Sequence, residues 1–117
     1  MGVEIYIDTS RFAAIFANEM AFEVARQIEA FAQRRVAVDS GDLKGSITIV
    51  GIAPAEYIVF AQAPYALAQE YGLRAYGKPN YRYQPYMRPA AVQASTSNNI
   101  SIAKEIALNR AIQGSKI

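Results

Sequence analysis

Between Arg11 and Arg35 apolar side chains return every four residues, at Phe12, Phe16, Met20, Val24 and Ile28, with Ile15, Phe22 and Phe31 beside them. That spacing puts them on one face of an α-helix, and Thr9 or Ser10 offers an N-cap. The predicted helix covers about residues 10–35 and on the order of 37 Å at 1.5 Å per residue. This is long for a chain of 117 residues. Phe22 departs from the main stripe and Phe12 and Phe31 widen it, so the apolar face is broader than one small sheet covers. Its second cover is either a neighbouring subunit or another helix of the same chain. Glu19, Glu23, Arg26 and Glu29 take the opposite face, where the i+3 and i+4 pairs of a solvated surface are expected.

Past Arg35 the pattern switches. Asp39 and Ser40 can accept hydrogen bonds from the free N–H groups of a new helical turn, and Gly41 adds backbone freedom. Leu43 is expected to point inward from that turn and Gly45 to close it. The runs Ser46 to Ile52 and Glu56 to Gln62, rich in β-branched and aromatic residues, flank Ala53-Pro54-Ala55 and predict an antiparallel hairpin over about 46–62. Ile47, Ile49, Tyr57 and Val59 are candidates for one face. Both strands are apolar enough to be covered on both sides, which leaves the register open. Near the N-terminus Val3, Ile5 and Ile7 alternate with Glu4, Tyr6 and Asp8, the pattern of a short strand at a sheet edge.

Ala63-Pro64 opens a short helix over about 64–71, because proline is tolerated at the first helical position, and Gly72 ends it. Glu70 stands in its last turn, where the helix dipole disfavours a carboxylate, so a basic or backbone N–H partner is expected. Residues 73–84 read as a loop carrying Arg74, Tyr76, Lys78, Tyr81, Arg82 and Tyr83 with no acid among them. Pro85 and Pro89 then frame Tyr86-Met87-Arg88 ahead of a C-terminal helical region over about 86–113, with Pro89 in its first turn. Ser95 to Asn99 weaken that region before Ile102, Ala103, Ile106, Leu108 and Ile112 resume the period, so one helix or two remain open. Gly114 and the residues after it are expected to fray. The fold class is therefore α+β: a long N-terminal helix and one or more C-terminal helices packed on a small antiparallel sheet, in one domain spanning 1–117.

The chain has neither cysteine nor histidine. This removes thiol nucleophiles, a Ser-His-Asp arrangement, the usual zinc ligands and any base titrating near neutrality. Asp39 and Asp42 with Ser40 could form a carboxylate pair, but turn capping accounts for Asp39 and Ser40, and no enzyme activity and no cofactor are expected. The N-terminal residues read as no targeting segment. No apolar run approaches the roughly 18 to 20 residues that span a bilayer, so no membrane partner is expected. Charged residues make up 19% and hydrophobic ones 52%, a balance that leaves apolar surface for a partner.

Three blocks in order carry a family resemblance. Val38-Asp39-Ser40-Gly41-x-Leu43-Lys44-x-Ser46-Ile47 resembles the signature V-D-T-G-x-L-[RK]-x-S-I of the neck or tail-completion proteins of long-tailed bacteriophages. Ala63-Pro64-Tyr65-Ala66-x-x-x-Glu70-Tyr71-Gly72 and Gln84-Pro85-Tyr86-Met87-Arg88-Pro89-Ala90 are similar to that family's second and third signatures. The resemblance runs from the first helix through Pro89. It implies a structural virion protein of the neck, assembled in the host cytoplasm as a homo-oligomeric ring, a hexamer in preference to a dodecamer. Such a ring joins or completes the tail at the head-tail interface beside other connector and tail proteins, with DNA passing through its channel. The chain departs from the pattern in a longer, more tyrosine-rich loop before Gln84 and in the interruption at Ser95 to Asn99.

Arg74, Lys78, Arg82 and Arg88 interleave with Tyr71, Tyr76, Tyr81, Tyr83 and Tyr86. Cations and rings in that pattern can neutralise phosphates and stack on bases, yet the net charge is only +2. Tyr and Arg are also the residues enriched at the centres of protein interfaces, and a contact with a neighbouring subunit is the favoured reading. Alternatives in the same connector are an adaptor, a stopper or a tail terminator.

Overall fold

The computed structural model describes residues 2, 4, 6–36, 41–62 and 85–117, without the side chains of 41–43. Asp39, Ser40, the helix expected over 64–71 with Glu70 and Gly72, and the loop carrying Arg74, Tyr76, Lys78, Tyr81, Arg82 and Tyr83 lie outside the described residues. So do Val3, Ile5 and the side chain of Leu43.

Helix α1 runs from Thr9 to Arg35. Its cap is Asp8, whose Oδ1 accepts a hydrogen bond from the Arg11 N–H at 3.1 Å, and not Thr9 or Ser10. All three residue types can cap. Asp8 takes the position because its own N–H donates to the Ser115 carbonyl at 3.0 Å beside an antiparallel bridge between Ile7 and Lys116. Arg34 and Arg35 stand in the last turn, where positive charge favours the exposed carbonyl end of the helix.

The short helix α2, Gly41–Ser46, leads directly into β1, Ile47–Ala53, which pairs antiparallel with β2, Glu56–Ala61. Ser46 therefore ends a helix and does not begin the strand. Its Oγ accepts from the Gln62 N–H at 3.2 Å, tying the helix end to the far end of β2. Ile49 opposes Val59 and Gly51 opposes Tyr57, so Ile47, Ile49, Tyr57 and Val59 share a face, as the alternation required. Gly51 lies close against Tyr57: a Cβ there would sit 3.2 Å from the ring, so the ring would have to give slightly. An irregularity between Gly51 and Ala53 leaves Ile52 as an extra residue opposite the turn, the arrangement of a β-bulge.

The C-terminal region is two helices, α3 (Met87–Ala94) and α4 (Ser97–Ser115). Pro89 lies in the first turn of α3, where its missing N–H costs nothing. The polar stretch that weakened the pattern is the break itself, closed by side chains. Ser95 Oγ donates to the Val92 carbonyl at 2.7 Å, and Thr96 Oγ1 and Asn99 Nδ2 each donate to the Gln93 carbonyl at 2.9 Å. Local bonds of this kind compete with helix continuation.

Helix α4 runs antiparallel to α1, and α3 packs on the C-terminal part of α1 around Ala32. Arg35 Nη2 donates to Gln93 Oε1 at 2.9 Å, Gln27 Nε2 to the Asn99 carbonyl at 3.0 Å, and the Ile117 N–H to the Tyr6 carbonyl at 3.1 Å. The seam is built from small residues: Ala103, Ala107, Ala111 and Ser115 are buried at every fourth position of α4. Side chains this short let two helix backbones approach closely. Gly114 extends the same logic, since a Cβ there would meet Ile15 Cδ1 at 2.7 Å. The expected fraying at Gly114 is accordingly absent, because the chain end is held by the backbone bonds from Asp8 and Ile117.

Glu23, assigned by its spacing to a solvated face, is instead 1% exposed. The alanine seam covers that face of α1, and the carboxylate is compensated by Arg26, at 3.2 Å to Oε2, and by Arg110 of α4, at 2.9 Å to Oε1. Arg110 also donates to Glu19 at 2.8 Å. The Glu19 hydrogen bond, followed by the charges of Glu19 and Glu23, holds the Arg110 guanidinium above its ordinary pKa despite some desolvation.

A second core lies where α1, α3 and the hairpin meet, formed by Ala32, Val36, Ile47, Tyr86 and Ala90, with Ile28, Phe31, Val59 and Met87 packed against it. The architecture is α+β, an antiparallel helical rod with a two-stranded sheet on one flank. No described helix is long and apolar enough to cross a membrane.

Candidate functional site

Helix α1 has more apolar surface than the described residues cover. One side packs through Ala32 against Ala90 of α3, and another faces the hairpin, where the Phe22 and Tyr57 rings meet edge to face at 5.4 Å. Between these contacts runs the stripe Phe16, Met20, Val24 and Ile28, all four only half-buried. They form the floor of an open groove of about 920 Å³. Tyr57 and Val59 of β2 wall one side, and Met87 and Ala91 of α3 the other. Phe12 continues the stripe, stacked on Phe16 with centroids 6.2 Å apart.

The groove contains little that could orient a small polar ligand. Glu56 is the one charged side chain among its described lining residues, and the Tyr57 hydroxyl already donates to Asn18 Oδ1 at 3.1 Å. Cofactor and substrate sites combine apolar walls with several convergent polar groups. This groove presents almost only apolar wall, which suits apolar side chains of another polypeptide.

Asn18 fixes the hairpin that forms one wall. The turn places Ala55 at φ 61°, a left-handed conformation that costs an L-residue with a Cβ roughly 1–2 kcal/mol. The Ala55 N–H donates to Asn18 Oδ1 at 3.1 Å, the same atom that receives the Tyr57 hydroxyl. A backbone N–H can only donate, so the oxygen of the Asn18 amide must face the hairpin. One side chain of α1 thus sets both the tip and the inner face of the sheet.

The outer face of the hairpin is apolar too. Val50 and Ile58 are direct cross-strand partners and are 43% and 45% exposed. Thr48 and Phe60, the next pair on that face, are half-buried. Among the described residues α1 covers one side of the sheet, and the other leaves Val50 and Ile58 exposed.

Of the residues singled out by sequence for a subunit contact, Tyr86 is 2% exposed and belongs to the core within the chain. Its place after Pro85 at the start of α3 turns the ring inward onto Ala32 and Ile47. Arg88, two residues on, is exposed, as is Pro85. Among the described residues no group of three or more His, Cys, Asp or Glu side chains converges where it could hold a metal ion. The groove floor was visible in the sequence as the four-residue stripe, whereas Asn18, a lone amide on a long helix, gave no pattern. No family model matches the chain, and no characterised protein or solved structure is detectably similar to it.

Proposed function

We propose that this chain is a structural subunit of a bacteriophage neck, working by surface complementarity between copies. Copies close into a ring, a hexamer in preference to a dodecamer, that joins or completes the tail between the portal complex and the tail tube. The observation that supports the self-assembly part is the open groove: the strongest apolar stripe of the sequence, Phe16 to Ile28, is only half-buried among the described residues. The three ordered sequence blocks support the placement in the neck. Such work needs no reactive side chain, which fits a chain without histidine or cysteine.

Two measurements test the proposal. Light scattering and electron microscopy of the purified full chain should show closed rings, and labelled protein in purified particles should lie between head and tail. A chain that stays monomeric at every concentration and is missing from particles refutes the proposal.

A further inference from the structure

Resting on the self-association part of the ring reading, we propose that α4 is exchanged between copies: the break between α3 and α4 straightens, and one copy's α4 lies on the α1 of the next. Among the described residues α4 packs almost wholly on α1 and meets α3 only slightly. Ser95 and Thr96 alone join it to α3. Ser95 stands at φ −81°, ψ −5°, inside the helical region, and Thr96 at φ −64°, ψ 150°. A helix needs φ of about −63° and ψ of about −42°, so only the ψ of Thr96 departs far from it. Rotating that one bond makes α3 and α4 a single helix from Met87 to Ser115, roughly 44 Å long at 1.5 Å per residue.

The rotation breaks little at the hinge. The Ile100 N–H already donates to the Thr96 carbonyl at 2.9 Å and keeps doing so. The Gln93 carbonyl, which in the bent form accepts from Thr96 Oγ1 and Asn99 Nδ2, accepts in the straight form from the Ser97 N–H four residues on. The loss falls on the seam. Helix α3 heads toward the C-terminal end of α1, with Ala90 on Ala32 and Gln93 bonded to Arg35, and α4 turns back from there, with Asn99 at Gln27, Arg110 at Glu23 and Glu19, and Gly114 at Ile15. Straightened, α4 points on past that end and uncovers Ala103, Ala107 and Ala111, so the straight form persists only where another α1 receives the helix.

Every other copy carries the receiving surface, shaped and charged to match. Arg110 bonds Glu19 and Glu23 at 2.8 and 2.9 Å, and the Gly114 backbone leaves room for Ile15. An α4 arriving from a neighbour remakes these contacts and the Ile7–Lys116 bridge. Bent and exchanged forms therefore differ at the hinge alone, and protein concentration decides between them.

The absence of cysteine makes a direct test simple. A full-length Ile15→Cys/Gly114→Cys chain, assembled and then oxidised, should run on a non-reducing denaturing gel as covalent multiples. Links confined to single chains in protein that has formed rings overturn the exchange and leave the ring standing. Linked pairs and nothing larger support the exchange and overturn the ring. Ser97→Pro holds the break: proline suits the first position of α4 and favours the extended ψ that Thr96 has, but inside a straight helix it removes a bond and clashes. This variant should keep the parent's helical circular dichroism and weaken self-association about 100-fold. Association equal to the parent's overturns the hinge. A parent that never associates overturns exchange and ring together.

Discussion

Replacing Asn18 by alanine removes one acceptor and, with it, two bonds: those from the Ala55 N–H and the Tyr57 hydroxyl, each 3.1 Å long. A neutral hydrogen bond contributes a net of about 1 kcal/mol. Both donors are half-buried, so water replaces part of what is lost, and the variant should be less stable by about 1–2 kcal/mol. With a urea m-value of about 1.3 kcal/mol/M, the unfolding midpoint should fall by about 1 M. Hydrogen exchange localises the effect. The Ala55 amide should lose protection first, while amides in the middle of α1 change only through global unfolding. Ala55→Gly removes the left-handed Cβ penalty of about 1 kcal/mol but adds unfolded-state entropy, for a net gain of about 0.5 kcal/mol. An Asn18→Ala chain with an unchanged midpoint and an unchanged Ala55 amide would show that the hairpin is held by its apolar contacts alone.

Other outcomes follow from the seam and from the loop. Ala107→Leu forces bulk between α1 and α4 and should cost about 2 kcal/mol or more, read as a drop in melting temperature of roughly 8 °C or more; Ile102→Ser on the outer face should change it little. Gly114→Ala gains helix propensity but drives a Cβ into Ile15 Cδ1, whereas with Ile15→Val the next atom is Cγ1 at 3.9 Å. The two substitutions should therefore couple favourably by about 0.5–1 kcal/mol in a double-mutant cycle, and simple additivity contradicts the close approach. Deleting residues 76–83 should leave a folded chain that no longer assembles, checked by circular dichroism and light scattering. If the loop instead binds DNA, affinity should fall steeply with salt and with Arg74, Lys78 and Arg82 all changed to Ala; flat titrations at low salt remove that reading.

The elements that periodicity defines were legible from sequence. The α1 stripe, the Pro54–Ala55 turn and the shared face of Ile47, Ile49, Tyr57 and Val59 follow from side-chain repeat and turn chemistry, which act locally. What escaped depends on the second helix. Glu23 has the spacing of a surface residue, and only the arrival of α4 with Arg110 makes it a buried one. Of the inner stripe of α4 only Ala103 was picked out, because alanine carries no amphipathic signal and the larger Ile102, Ile106 and Ile112 drew attention to neighbouring positions. Asp8, Thr9 and Ser10 stand in a row with equal capping chemistry, and a backbone bond from the other end of the chain decides among them. Tyr86 sat among cationic and aromatic residues in sequence, yet the proline before it and the small side chains of Ala32 and Ala90 make room for its ring inside.

The run of small residues along α4 also limits how this protein can diverge. Outward side chains can be exchanged so long as the Glu23–Arg110 pair is kept and nothing bulkier than a methyl group stands at positions 103, 107 and 111. Distant descendants would then share few identities while keeping the same metronome of small residues, and a search for that beat would find relatives that residue-by-residue matching passes over.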